Sequence, residues 1–390
     1  MKKYKHLYKI VLYICAIGLI TSCVKHKENQ TEGDNNNGNL IGEFVILNIN
    51  ESQENFNALN KELYIKDIIV LKESEDIMFA DLDKIIENQG MYYVLDSFGA
   101  KTLVSFDSKG NAYAKYGKIG KGPGEYVRPW DFDIYNSQVY ILDSNAKKIL
   151  RFASNGDFID EKQIPFRAKG FKILKDGKMM FSLLPSGDCG PRLCLSDSTL
   201  SDHKYLLNAE KGYVGGFHTN NIFRNNKKGI MYYEAPQDTL FCFNDNGELT
   251  GGIVFDFGNR QVPHDAKLDY LQAQENGLLE NKLIFNESPL FLENGIILGT
   301  ISDDKSQYIL LADADKNVSG LKKCDPSKSV FDIIEPVTVD SNGNLICYTC
   351  KEFIDQSKDK ETLDEKLKSD LEDNEYVLLI YSQEKNEIND

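Results

Sequence analysis

IENQGMYYVLD at residues 86–96, IYNSQVYILD at 134–143, LKDGKMMFSL at 174–183, NNKKGIMYYEA at 225–235, LENGIILGT at 292–300 and DSNGNLICYT at 340–349 repeat one local pattern six times. Each sets a polar turn, at Gly90, Gln138, Gly177, Gly229, Gly295 and Gly343, in front of an apolar strand. A hairpin needs that order, because its turn demands φ > 0 and its strand must be buried. A second signal follows the first. FDSKG at 106–110, FASNG at 152–156 and FNDNG at 243–247 share an aromatic, three polar positions and a glycine. Their glycines lie 46 and then 91 residues apart, and Asp96 of YVLDS and Asp143 of YILDS lie 47 apart. CLSDSTLSDHKYLL at 194–207 and YILLADADKNVSGL at 308–321 carry weaker versions in the third and fifth units. Two hairpins in about 45 residues make the four-stranded blade of a propeller. One such sheet exposes two apolar faces, and radial stacking buries both.

Such a ring must close. After the sixth hairpin only EYVLLIYSQ at 375–383 remains, so that blade lacks an outer strand. YIKDIIVLKES at 64–74 is a free strand at the other end of the body and is expected to pair with it; FVILNI at 44–49 is a second candidate. The fold class is all-β: a six-bladed β-propeller of four-stranded antiparallel blades, closed by an N-terminal strand in the last blade. Two insertions interrupt the period. HDAKLDYLQAQENGLLENK at 264–282 and the heavily charged DQSKDKETLDEKLKSDLEDNE at 355–375 read as short solvated helices on a rim.

The N-terminus joins the basic MKKYKHLYK to the apolar run IVLYICAIGLI, the layout of an export signal rather than a membrane span. Ile20, Thr21, Ser22 and Cys23 match a bacterial lipobox, which makes Cys23 the expected lipidation site. The expected organisation is a signal peptide over 1–22, a flexible tether over 23–40 and the propeller over 41–390. The formal charge is -15, and cleavage before Cys23 removes Lys2, Lys3, Lys5 and Lys9 to leave -19. So acidic a body repels phosphate backbones, which argues against nucleic acid, and meets the membrane only through its anchor. The expected address is the cell envelope, at the outer membrane, with the leaflet open.

GKIGKGPGEYVRPWDFDI at 117–134, with IIVLKES, the YVLDS hairpin and FDSKGNAYAKYG, resembles the six-bladed β-propeller lipoproteins abundant in Bacteroidetes, which are related in fold to NHL-repeat propellers. The resemblance runs from about residue 41 to the C-terminal strand. It implies an exported, lipid-anchored six-bladed propeller and is silent about activity. Surface lipoproteins of that group often carry an acidic cluster behind the lipidated cysteine, whereas here Glu28, Glu32 and Asp34 are scattered.

The glycine loop fails the P-loop pattern, and a tight crossing between blades explains Gly117, Gly120, Gly122 and Gly124 better than phosphate binding does. That crossing delivers Glu125, Tyr126, Arg128 and Trp130 to the mouth of the channel, where Trp130 could stack on a sugar ring or another flat face. For Glu125 and Arg128 an ion pair that fixes the loop is the favoured reading. His218 and His264 sit near inner blade ends and complete the ligand-binding candidates. No hydrolase motif is present, so no catalytic residue is assigned. The leading expectation is a non-enzymatic, monomeric binding or scaffold module for a glycan, peptide or envelope protein, with no cofactor. The alternative is a hydrolase or lyase using a divalent cation, calcium in particular, with Asp96, Asp131 and Asp143 as conceivable ligands. The repeated Asp96 and Asp143 suit turn capping better. Of Cys189, Cys194, Cys242, Cys324, Cys347 and Cys350, the first two bracket a loop that could close as a disulfide. Cys347 and Cys350 stand three apart on a strand and so point to opposite faces.

Overall fold

The computed structural model describes residues 42–60, 63–185, 190–215, 219, 221–226, 229–292, 294–325, 327, 329 and 335–382. Six antiparallel sheets follow one another in a propeller ring. Blade 1 comprises Lys84–Asn88, Met91–Asp96, Thr102–Phe106 and Ala112–Lys115, and blade 2 comprises Asp131–Tyr135, Gln138–Asp143, Lys148–Ala153 and Phe158–Gln163. Blade 3 runs from Ala168–Ile173 to His203–Asn208, and blade 4 from Phe223–Asn226 to Leu249–Asp256. In blade 5 the inner strand is broken into Ile284–Phe285 and Leu290–Phe291, both paired to Ile296–Ser302. Blade 6 orders Glu335–Val339, Leu345–Cys350, Tyr376–Ser382 and finally Tyr64–Val70.

Period-two alternation builds the ring. In Met91–Asp96, Tyr92 and Val94 join the core between blades 6 and 1, while Tyr93 and Leu95 join the core between blades 1 and 2. The remaining junctions have their own apolar clusters, so each blade is buried on both faces. The turns follow the expected chemistry. Gly90, Gly177, Gly295 and Gly343 adopt φ between 78° and 86°, whereas the blade 2 turn is made by Asn136 and Ser137, at φ 49° and 56°, with Gln138 already in the strand.

Tyr64–Val70 closes the ring against the C-terminal strand, with Ile68 opposite Leu379 and Val70 opposite Val377. The chain then staples blade 6 to blade 1: Lys72 N donates to Gly110 O at 2.7 Å and Ala112 N to Lys72 O at 3.1 Å. FVILNI takes no part in closure. Glu43–Asn48 instead adds a fifth, parallel strand to the outer edge of blade 4, in register with Gly251–Asp256. Gly251 and Gly252 permit it, since a Cβ on Gly251 would stand 2.1 Å from Glu43 O. Between the two N-terminal strands a helix, Gln53–Leu59, is capped by Ser52 and plants Phe56 in the core of blades 5 and 6.

Both insertions fold as short helices, and both leave the propeller at the end where each blade hands over to the next. His264–Leu268 and Tyr270–Glu275 share a small core of Val262, Ala266 and Ala273. The charged insertion is not a free solvated rim. Its segments Lys351–Gln356 and Glu365–Asp373 bury Ile354, Leu367 and Leu371, with Leu363 between them, against blades 5 and 6. Among the described residues no helix is long and apolar enough to cross a membrane. Cys347 and Cys350 are buried thiols in two different cores, as strand geometry requires. Cys194 is a buried free thiol in the core of blades 2 and 3, and Cys189 lies outside the described residues.

Candidate functional site

At the top of the axis, where the inner strands begin, each blade contributes a polar side chain: Lys84, Asp131, Lys169, Asn221, Glu287 and Glu335. Asp131 knits three blades together. Its Oδ1 receives Lys84 Nζ at 2.7 Å and its Oδ2 receives Phe171 N at 2.9 Å. On the same strand Asp133 takes Lys172 Nζ at 2.6 Å and Ile173 N at 2.8 Å. Arg224 seals the axis lower down. Its guanidinium pairs with Glu287 at 2.7 Å and donates to the carbonyls of Ser288 in blade 5 and Val337 in blade 6. A charge so deep is tolerable only with those partners. Burial pushes the Glu335 carboxyl up to about 7, against a hydrogen bond from Gln307 Nε2 at 2.9 Å and with the negative charge of Glu287 adding to the rise.

Asp96 and Asp143 cap turns. Each ends the second strand of its blade fully buried. Asp96 accepts from Gly99 N, Ala100 N, Ala80 N and Asp81 N, all within 3.0 Å, and Asp143 from Asn145 N, Ala146 N and Val127 N over the same range. Each carboxylate thereby ties its own turn to the segment entering the blade. In blade 4 the corresponding position is Glu234, and its job has changed. It is 2 % exposed and accepts from Tyr213 Oη and Tyr232 Oη, both at 2.6 Å, with Lys169 Nζ bonded to one oxygen and Arg192 3.5 Å from the other. Burial alone would raise this carboxyl; Lys169 and Arg192 overcome it and hold the group at about 2.

A small cleft lies over blades 1 to 4, lined by Lys84, Ser97 and Phe98 of blade 1, Trp130 and Asp131 at the entry to blade 2, Lys169 of blade 3, and Asn221. Lys84 and Lys169 already have carboxylate partners. Arg128 does not. Its guanidinium lies over Phe98 at 5.1 Å and over Trp130 at 5.4 Å, and among the described residues it has no ion pair. The loop that carries it is pinned on both sides, by Val127 N on Asp143 at 2.7 Å and by Trp130 N on Leu142 O at 2.8 Å.

The other candidates fall elsewhere. Glu125 folds back into its own loop, accepting from Gly122 N at 2.8 Å and standing 3.4 Å from Lys118. The Gly122 hydrogen bond is the largest influence on its carboxyl and lowers it; burial works against that, and Lys118 lowers it further. The expected Glu125–Arg128 pair is therefore replaced by Glu125–Lys118, because the aromatic rings claim Arg128. Tyr126 is fully buried in the core between blades 1 and 2, where burial pushes its phenol up to about 12. The glycine loop holds its own amides, Gly120 N bonding Tyr126 O and Gly122 N bonding Glu125, so it offers no nest of free donors. His264 is an exposed partner of Glu210, at 2.9 Å on the helical insertion. His218 lies outside the described residues. Among the described residues no three His, Cys, Asp or Glu side chains converge as a metal cage needs. Asp131 in particular is committed to Lys84.

Sequence reading missed Phe98, Lys169 and Glu234. Glu234 had a signal, since MYYE at 231–234 aligned on YVLD and YILD puts a longer acid in the capping column.

Comparison with known proteins supports the fold. A protein of Bacteroides fragilis described as exported matches with a TM-score of 0.69 at 18% identity, over 88% of this chain and 100% of its own. A member of the DUF4221 family from Bacteroides vulgatus matches with a TM-score of 0.51 at 10% identity, over 82% of this chain and 97% of its own. No curated protein matches the sequence. The family described as domain of unknown function DUF4934 matches residues 44–382, from the added strand of blade 4 to the closing strand pair of blade 6, and the chain belongs to that family.

Proposed function

We propose that this protein is a lipid-anchored envelope module that binds a glycan, peptide or partner protein non-enzymatically, through the axial cleft between blades 1 and 4. The observation that carries the reading is the Arg128 guanidinium held over Phe98 and Trp130, two residues that line a polar cleft. A rigid recognition face of this kind requires little reorganisation on binding. The address is supported by the sequence of residues 1–23, where a basic segment, an apolar run and a lipobox-like ITSC stand in order. An acidic body agrees with a domain that stands off an anionic bilayer.

The test screens neutral and acidic oligosaccharides and peptides by calorimetry, alongside metal analysis of the purified protein and its melting point with calcium and with chelator. Saturable binding without turnover of the bound compound is expected. Stoichiometric metal, a chelator-sensitive midpoint and consumption of a bound compound would replace this reading with a cation-dependent hydrolase or lyase.

A further inference from the structure

Resting on the binding reading above, we infer that the cleft selects a carboxylate-bearing saccharide, with Arg128 as the group that receives the carboxylate. The protein is strongly acidic, with a formal charge of -15, yet it holds a guanidinium at the cleft edge with no anion of its own. The two lysines that line the cleft are neutralised, Lys84 by Asp131 and Lys169 by Glu234. Two aromatic rings hold Arg128, at 5.1 and 5.4 Å from its guanidinium, and among the described residues no protein acceptor takes its N–H donors, which leaves them for a ligand. A planar guanidinium so held matches a carboxylate through two parallel hydrogen bonds, a geometry that lysine cannot supply.

The rest of the cleft favours a hydroxyl-rich ligand over a peptide side chain. Two residues of its lining, Ser97 and Asn221, keep Oγ and Oδ1 buried without a hydrogen-bond partner among the described residues. A sugar hydroxyl both donates and accepts, so it can satisfy either atom. The Trp130 indole adds a flat apolar surface beside the cation, suited to the face of a pyranose ring.

The experiment uses the mature chain, short oligogalacturonates, their carboxyl-reduced counterparts and acidic peptides with free C-termini, each titrated by calorimetry into wild type, Arg128→Gln and Arg128→Lys. The inference predicts saturable, salt-weakened binding of the uronate probe, at least tenfold weaker binding of the reduced sugar, and an Arg128→Gln loss of similar size with an unchanged far-UV spectrum. Arg128→Lys should recover only part of the loss, which separates fork recognition from charge alone. Equal affinity for acidic and reduced sugars would overturn the inference and leave the binding reading standing. Peptide binding that depends on Arg128, with no uronate response, would overturn it in favour of a peptide ligand. No saturable response to any of the three probes overturns it as well, and the wider screen described above then decides the binding reading.

Discussion

Replacing Glu234 by glutamine should cost this fold several kilocalories, with a pH signature of definite sign. The wild-type carboxylate is buried with Lys169 and Arg192 against it and with two tyrosine hydroxyls donating to it. Its folded value of about 2 lies below the ordinary 4.5. A gap of that size is worth about 3 kcal/mol at 1.36 kcal/mol per pH unit. The mutational route gives a similar figure, since removing one member of a buried ion pair typically costs about 3–5 kcal/mol. Because the folded value is depressed, the contribution is complete above the unfolded value and drains away as pH falls toward 2. Urea unfolding at pH 7 should therefore show Glu234→Gln destabilised by about 3 kcal/mol, and at pH 3 the difference should shrink to about half. A loss under about 1 kcal/mol at pH 7, or a loss independent of pH, would refute the claim that Lys169 and Arg192 depend on this carboxylate.

Glu335 should behave oppositely. Its folded value of about 7 is raised above 4.5, so the stability present below the unfolded value is lost as pH rises through the folded one. Glu335→Gln should then stabilise by about 2 kcal/mol at pH 8 and by under about 1 kcal/mol at pH 5, allowing for partial solvent screening; a destabilised variant at pH 8 would contradict the reading. Gly110→Ala attacks the ring closure: φ is +79° and the new Cβ would stand 2.0 Å from Val70 O, so thermal unfolding should show a loss of about 3 kcal/mol. Gly295→Ala, at φ +86° with nothing near its Cβ, should lose only about 1 kcal/mol, and equal losses would show that Gly110 is not a closure contact.

What the sequence revealed follows from what is local. Turn glycines and alternating apolar strands are written within ten residues, so the six hairpins could be counted, and a blade missing its outer strand identified Tyr64–Val70 as its partner. Glu43–Asn48 left no comparable trace, because a parallel edge strand is chosen by room on its neighbour, here Gly251 and Gly252. The charged insertion hid its anchors: Leu363, Leu367 and Leu371 keep a four-residue spacing, but the surrounding lysines and acids suggested solvent. At the site, the crossing segment carries Trp130 to the lining of the axial cleft, with Arg128 over its ring. Their partner Phe98 comes from a turn in another blade, and the polar ring mixes lysine, aspartate, asparagine and glutamate, one from the inner region of each blade. Neither arrangement has a sequence period to detect.

Trp130 is the sole tryptophan of the chain, so its emission reports on the axial cleft without ambiguity. Titrating the tightest-binding compound of the screen into the protein should shift Trp130 fluorescence and protect it from acrylamide, with the same midpoint as calorimetry. Calorimetric saturation with Trp130 emission and quenching unchanged would place the ligand elsewhere and contradict the account.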